Sequence, residues 1–185
     1  MNMRERWIEF IYRIATGSKR ARTILTPLGG LVFLTFVFLV ILISLGVDWL
    51  LKLPKIVSRP FHLITAVPII ISGLSLALWS VYNFLKVKGT PVPLNPPPKL
   101  VITGPYAFAR NPILTGLFIG LFGLGLILNS FSLMFIFTPL FILLNILELK
   151  FIEEPELEKR LGEPYIEYKK RVPMFIPRLS KTKKK

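Results

Sequence analysis

The chain has no cysteine and a single histidine, His62, in 185 residues. That excludes a disulfide framework, a thiol nucleophile and any Cys- or His-cluster metal site. Acidic residues are also scarce: ten Asp and Glu stand against 24 Lys and Arg, a formal net charge of +14. Charge of either sign is missing from three long stretches, residues 23–47, 63–85 and 113–147. With 52% apolar residues, 16 prolines and a mean hydropathy of +0.60, the chain is too apolar for a soluble domain and belongs in a bilayer. The cations flank the apolar stretches, so they fit anionic lipid headgroups and positive-inside loops; nucleic acid is not the expected partner. The basic N-terminus has no small-residue cleavage site after a short apolar core, so no secretory signal peptide is expected.

At this length a single membrane domain is expected. Residues 1–22 place Trp7, Ile11 and Ile14 at helical spacing, with Phe10 beside them and Arg4, Arg6, Glu9 and Arg13 mostly elsewhere. This segment reads either as an amphipathic helix lying in the membrane interface or as an ordinary basic leader. Two transmembrane helices follow within 23–85, joined by a short polar loop around Lys52, Pro54, Lys55, Arg59 and Pro60. Pro68 lies near the start of the second and is tolerated or kinks it. Residues 86–103 carry Pro91, Pro93 and Pro96-Pro97-Pro98 and read as an extended, polyproline-like strap, or as a plain linker.

The third apolar stretch is too long for one span. Asn129-Ser130 and Ser132 divide it into two arms of roughly 16 residues, about 24 Å each against a ~30 Å hydrocarbon core. The first arm gains length if it begins near Phe108, and the second if it continues to Ile152. A helical hairpin over 113–152 follows, with Arg110 and Glu153-Glu154 at the same face. Gly116, Gly120, Gly123 and Gly125 allow close approach of a helix or a ligand, and helix packing explains the Gly-x-Gly at 123–125 as well as a cofactor does. Beyond it, Pro155 suits the first turn of a new helix and Gly162 its stop. The apolar residues 172–177 read as a segment docking back onto the membrane face, and Lys181 to Lys185 as a solvated tail. Four spans place 21 Lys and Arg on the side of both termini and three on the other, so the termini are expected in the cytoplasm. The expected fold is thus an all-α integral membrane protein with four transmembrane helices, the last two a hairpin, plus an amphipathic N-terminal helix and a cytoplasmic C-terminal helical segment.

The chemistry concentrates in residues 101–112, between two apolar regions. Gly104-Pro105 is turn chemistry. Arg110-Asn111-Pro112 sets a cation and an amide at the mouth of an uncharged run, a costly place unless it is used. Each piece also has an ordinary reading: Asn111 as a helix N-cap, Glu153-Glu154 as a solvated helix-end pair, Arg171 as a headgroup contact, Tyr165 and Tyr168 as interfacial anchors.

Taken in order, Thr103-Gly104-Pro105-Tyr106, Arg110-Asn111-Pro112, Glu153-Glu154 and the tail Gly162-x-x-Tyr165-x-x-Tyr168 through Val172-Pro173 to Ile176-Pro177 resemble the integral-membrane methyltransferases. These include isoprenylcysteine carboxyl methyltransferase and the membrane phosphatidylethanolamine methyltransferases. Gly89-Thr90, the proline-rich strap and Leu100-Val101 fit the prokaryotic members, so the likeness covers about residues 86–179. It implies S-adenosylmethionine as methyl donor, bound at the cytoplasmic face and covered by residues 153–185, and a lipid-like acceptor entering from the bilayer. Carried over by position, Gly104, Pro105, Tyr106, Asn111, Pro112, Glu153 and Glu154 line the cofactor, with Tyr165 as an aromatic wall, and Arg110 and Arg171 face a substrate carboxylate. The chain departs from the usual pattern of Arg-His-Pro followed by Tyr: the His is Asn111 and the Tyr is Leu114. Asn-Pro occurs here in phosphatidylethanolamine methyltransferases, and an amide hydrogen-bonds but is no base.

These residue types suit the reaction. A sulfonium donor is already activated, so the protein must position two partners and exclude water. An ionised carboxylate acceptor needs no base, and Arg offers it a two-pronged hold. The donor's ammonium asks for a carboxylate, from Glu153 or Glu154. A carboxylate acceptor of the isoprenylcysteine type is therefore slightly preferred over a phospholipid amine. The other readings are an NADPH-dependent membrane reductase and a non-catalytic lipid-binding membrane protein. Oligomeric state is not legible.

Overall fold

The computed structural model describes residues 1–58, 60–87, 90, 92, 94–97 and 99–176. The readings placed on Arg59, Gly89, Pro91, Pro93, Pro98, Pro177 and residues 181–185 lie outside the described residues. Among those described, the chain is helical, with no strand.

Helix α1 (Met3–Thr16) opens with a capping box: Asn2 accepts from the Glu5 N–H, and Glu5 accepts from the Asn2 N–H. Gly17-Ser18 breaks it, and the Ser18 hydroxyl accepts from the Ala21 N–H to start α2 (Lys19–Leu50). The basic residues 19–22, read from sequence as part of the N-terminal segment, therefore form the first turn of a 32-residue helix. Helix α3 (Phe61–Lys86) runs unbroken through Pro68. A 3-10 turn (Gly104–Ala107) precedes α4 (Pro112–Ile127). Expectation and structure differ here, because α4 starts at Pro112 and not near Phe108.

Helix α5 (Leu133–Leu161) is one 29-residue helix. Two turns in it are π-helical, Leu133–Phe137 and Leu149–Glu153, and each ends two residues before a proline, Pro139 or Pro155. A proline ring collides with the carbonyl four residues back, and a widened turn relieves that. This corrects the expectation of a new helix at Pro155: the helix absorbs the proline and ends at Gly162, whose φ is +65°. Helix α6 (Glu163–Arg171) follows.

The helices α2, α3 and α5 are long and apolar enough to cross a membrane, while α4 is a shorter apolar helix. Helix α4 packs along α3 through glycines. A Cβ on Gly116 would lie 2.5 Å from the Gly73 carbonyl oxygen, and one on Gly123 2.5 Å from Ile70. Gly125 faces Met134. The close approach these glycines permit is thus between helices. The small core joins Val37 of α2, Phe118 and Leu121 of α4 and Phe141 of α5. Outside it, large apolar side chains such as Leu31, Leu34, Phe38, Leu74, Leu78 and Leu143 lie exposed. That inversion of ordinary burial is the pattern of helices solvated by hydrocarbon.

The two ends of the bundle differ. At one, Asn129 holds the loop after α2, accepting from the Ile56 and Val57 N–H groups and donating to the Val57 carbonyl. Asp48 accepts from the Ser130 hydroxyl and the Ser132 N–H. The expected break at 129–132 is therefore tied down. The other end gathers α1, the strap, the motif loop and the C-terminal segment. The described residues of the strap do not run straight: the N–H and hydroxyl of Thr90 both donate to the Asn95 carbonyl, folding it into a tight loop. Val92 and Leu94 rest against Gly29 of α2.

Candidate functional site

The loop before α4 is shaped by its small residues. Gly104 sits at φ +59°, and a Cβ there would lie 2.7 Å from the Asn83 side chain, so glycine is required twice over. The turn it starts buries Pro105 and Tyr106, with the Tyr106 ring edge-on to Phe84 at 5.0 Å. Two backbone bonds then join this loop to the C-terminal segment: the Arg110 N–H donates to the Pro173 carbonyl (2.9 Å) and the Asn111 N–H to the Met174 carbonyl (3.1 Å). Phe175 continues into the core beside Phe118, centroids 5.4 Å apart. The apolar segment after α6 therefore docks back, as its composition among charges predicts.

The Arg110 side chain is 10% exposed. Its guanidinium donates to Glu154 (2.5 Å), the Val172 carbonyl (2.5 Å) and the Lys169 carbonyl (3.1 Å). Glu154, itself buried, takes Lys169 on its other oxygen at 2.7 Å. Lys169 also pairs with Glu158 at 2.9 Å. Burial lowers the pKa of Lys169, but its hydrogen bonds to Glu154 and Glu158 outweigh that and the net shift is upward, so the amine stays charged. Beside this cluster Glu156 is buried against Arg160 at 2.7 Å. A buried charge without a partner costs several kcal/mol, and Glu154 and Glu156, the two fully buried acids here, are each matched by a cation.

The tyrosines form the apolar side. The Tyr168 hydroxyl donates to the Tyr106 carbonyl at 2.7 Å, and the Tyr165 and Tyr168 rings lie 6.2 Å apart. Burial pushes the hydroxyls of Tyr106, Tyr165 and Tyr168 far above their ordinary value, so they serve as neutral donors and not as bases.

Of the residues named from sequence, Gly104, Pro105, Tyr106, Arg110, Asn111, Pro112, Glu153, Glu154 and Tyr165 all lie where the motif loop, the C-terminal part of α5 and α6 meet. Arg171 stands apart: it is exposed, and its Nε–H donates to the Glu167 carbonyl. Asn111 occupies the N-cap position of α4, but its side chain makes no capping bond. Glu153 is half-buried and, among the described residues, makes no side-chain hydrogen bond or ion pair. Two buried polar atoms here have no partner among the described residues, the Tyr106 hydroxyl and the Arg110 Nε.

Sequence reasoning missed Asn83 and Lys169. Asn83 had a signal, an amide inside an uncharged span. Lys169 had none that set it apart from its neighbours in Lys-Lys-Arg. Among the described residues no three His, Asp or Glu side chains are grouped to hold a metal ion.

The sequence model described as phospholipid methyltransferase matches residues 61–164. A stretch of 82 residues is 35% identical to the nickel-cobalt-cadmium resistance protein NccN of Alcaligenes xylosoxydans xylosoxydans, covering 44% of this chain and 38% of that protein. The chain thus matches well under half the length of that relative. No solved structure matches it.

Proposed function

Since this chain belongs to the phospholipid methyltransferase family, we propose that it transfers a methyl group from S-adenosylmethionine to a lipid-like acceptor met in the membrane. The observation that carries this reading is the Arg110–Glu154 pair: it joins the motif loop to the C-terminal part of α5, beside two buried polar atoms that lack partners. Buried polar groups without partners are rare, and a bound ligand or water is one way they are satisfied.

The site fits the donor. S-adenosylmethionine, when bound, supplies a sulfonium methyl that needs no further activation. Its ammonium calls for a carboxylate, and of the adjacent pair Glu153 is the acid without a partner among the described residues, since Arg110 and Lys169 occupy both oxygens of Glu154. The Asn111 amide, free of capping duty, and the Tyr106 hydroxyl offer neutral hydrogen bonds. Tyr165 and Phe175 provide apolar walls. The C-terminal segment is pinned to the loop at Arg110 and Asn111, and a cover of this kind keeps water from a reacting methyl group.

The preference for a carboxylate acceptor rested on two open arginines. Arg110 is largely consumed by Glu154 and two carbonyls, and Arg171 faces outward, so one buried Nε–H remains. The acceptor is accordingly assigned as a lipid with a nucleophilic head, without a preference for carboxylate over amine. The excess of cations at this end supports a cytoplasmic site.

Calorimetry of the full chain in detergent tests the reading. S-adenosylhomocysteine, the demethylated product, is expected to bind, and Glu153→Gln to weaken it about tenfold, the worth of one charged hydrogen bond. No binding of either donor or product by the folded chain overturns it. Transfer of labelled methyl to an isoprenylcysteine or to phosphatidylethanolamine in vesicles then identifies the acceptor.

A further inference from the structure

Helix α1 ends more than 130 positions before the turn Leu149–Glu153 in sequence, yet it is fastened to that turn, which carries Glu153 and leads into Glu154. The Arg4 Nε–H donates to the Phe151 carbonyl at 2.9 Å, and its guanidinium lies 5.8 Å from the Phe151 ring centroid. Further along, Glu9 pairs with Lys159 at 2.5 Å, and the Lys159 ammonium sits 4.2 Å from the centroid of the Tyr12 ring.

The Phe151 carbonyl is no arbitrary target. In an α-helix it accepts from the N–H four residues on, and that residue is Pro155, which has none. The turn Leu149–Glu153 is already widened to π geometry, a form with weak intrinsic support. A carbonyl that lacks the N–H four residues on, in a wide turn beside the acids of the candidate site, is where an outside donor has leverage. Arg4 is that donor.

We infer that α1 is a brace for the candidate site: Arg4 is a positioning residue that supplies the hydrogen bond Pro155 cannot. It thereby holds the wide turn so that Glu153 stays open toward the site and Glu154 stays paired to Arg110. Arg4 touches neither donor nor acceptor and works through Phe151. The inference rests on the methyl-transfer reading only for what the turn is held to do.

A cycle of variants tests it in the full chain, reading two quantities: hydrogen–deuterium exchange of the amides of residues 149–158, and affinity for S-adenosylhomocysteine. Arg4→Ala is expected to speed exchange there about tenfold and to weaken binding by a similar factor, as loss of one hydrogen bond at a weak turn implies. Arg4→Lys, which keeps a charged donor, restores most of both. Pro155→Ala returns an N–H to the Phe151 carbonyl, and in that background Arg4→Ala is expected to change either quantity less than about twofold, since coupled sites are non-additive. Unchanged exchange in Arg4→Ala, or an equal effect of Arg4→Ala with Pro155 and with Ala at 155, overturns the brace. If exchange follows the expected pattern while no form binds S-adenosylhomocysteine, the brace stands and the methyl-transfer reading falls.

Discussion

Taking the Arg110 guanidinium out of water costs several kcal/mol, which its contacts to Glu154, Val172 and Lys169 must offset. Glu154 is equally dependent, since it lies buried between Arg110 and Lys169. Replacing Glu154 leaves the buried guanidinium without its acid, whereas replacing Arg110 leaves Glu154 paired with Lys169. Glu154→Gln is expected to destabilise the chain by about 3–5 kcal/mol in denaturant titrations in detergent micelles, and Arg110→Gln by less, because Lys169 still holds the carboxylate. The double variant is expected to lose clearly less than the sum, because it strands no charge. Both residues were readable as candidates, as a cation at the mouth of an uncharged run and an acid pair at the end of one. Their direct pairing was not, since 44 positions separate them and Glu153 fits the same pattern. Only the wide turn decides which of the adjacent acids turns inward.

At the scale of elements, the long helices follow from runs without charge, and their ends from local chemistry such as the Asn2–Glu5 box and Gly162. The π turns were not foreseen, although Pro139 and Pro155 marked them, because a proline announces disruption without saying whether a helix stops or widens. The docking of α1 shows its physics in a pH response. Hydrogen bonds from Lys159 and then Arg13 hold the Glu9 carboxyl below its ordinary value of 4.5. A depressed folded value means the pair contributes fully above that ordinary value and is lost as pH falls through the folded one. Exchange of the α1 amides is therefore expected to accelerate as pH drops below 4.5, after correction for the intrinsic rate. Glu9→Gln should already be loosened at neutral pH and show a flatter response.

At the scale of the molecule, an exterior of exposed Leu, Phe and Val on α2, α3 and α5 makes hydrocarbon the solvent of the bundle. Its two ends carry different charge, with the cations concentrated beside α1, the motif loop and α6. Because the chain has no cysteine, single introduced thiols report sidedness cleanly. In intact cells, Lys55→Cys is expected to react with a membrane-impermeant maleimide. Ser18→Cys and Glu163→Cys are expected to react only after lysis. Labelling of Glu163→Cys from outside would reverse the assignment of the site to the cytoplasm.

The sequence by itself determined the solvent, the helical class and which residues carry chemistry, because hydropathy, helix length and turn residues act within a few positions of one another. The tertiary structure alone decided that Glu154 is consumed by Arg110 and Lys169 while Glu153 has no partner among the described residues, that Arg171 faces away, and that Arg4 serves a carbonyl 147 residues distant. The reason is that a buried charge or carbonyl takes its partner from whatever packing brings within about 3 Å, and distance along the chain has no part in that choice.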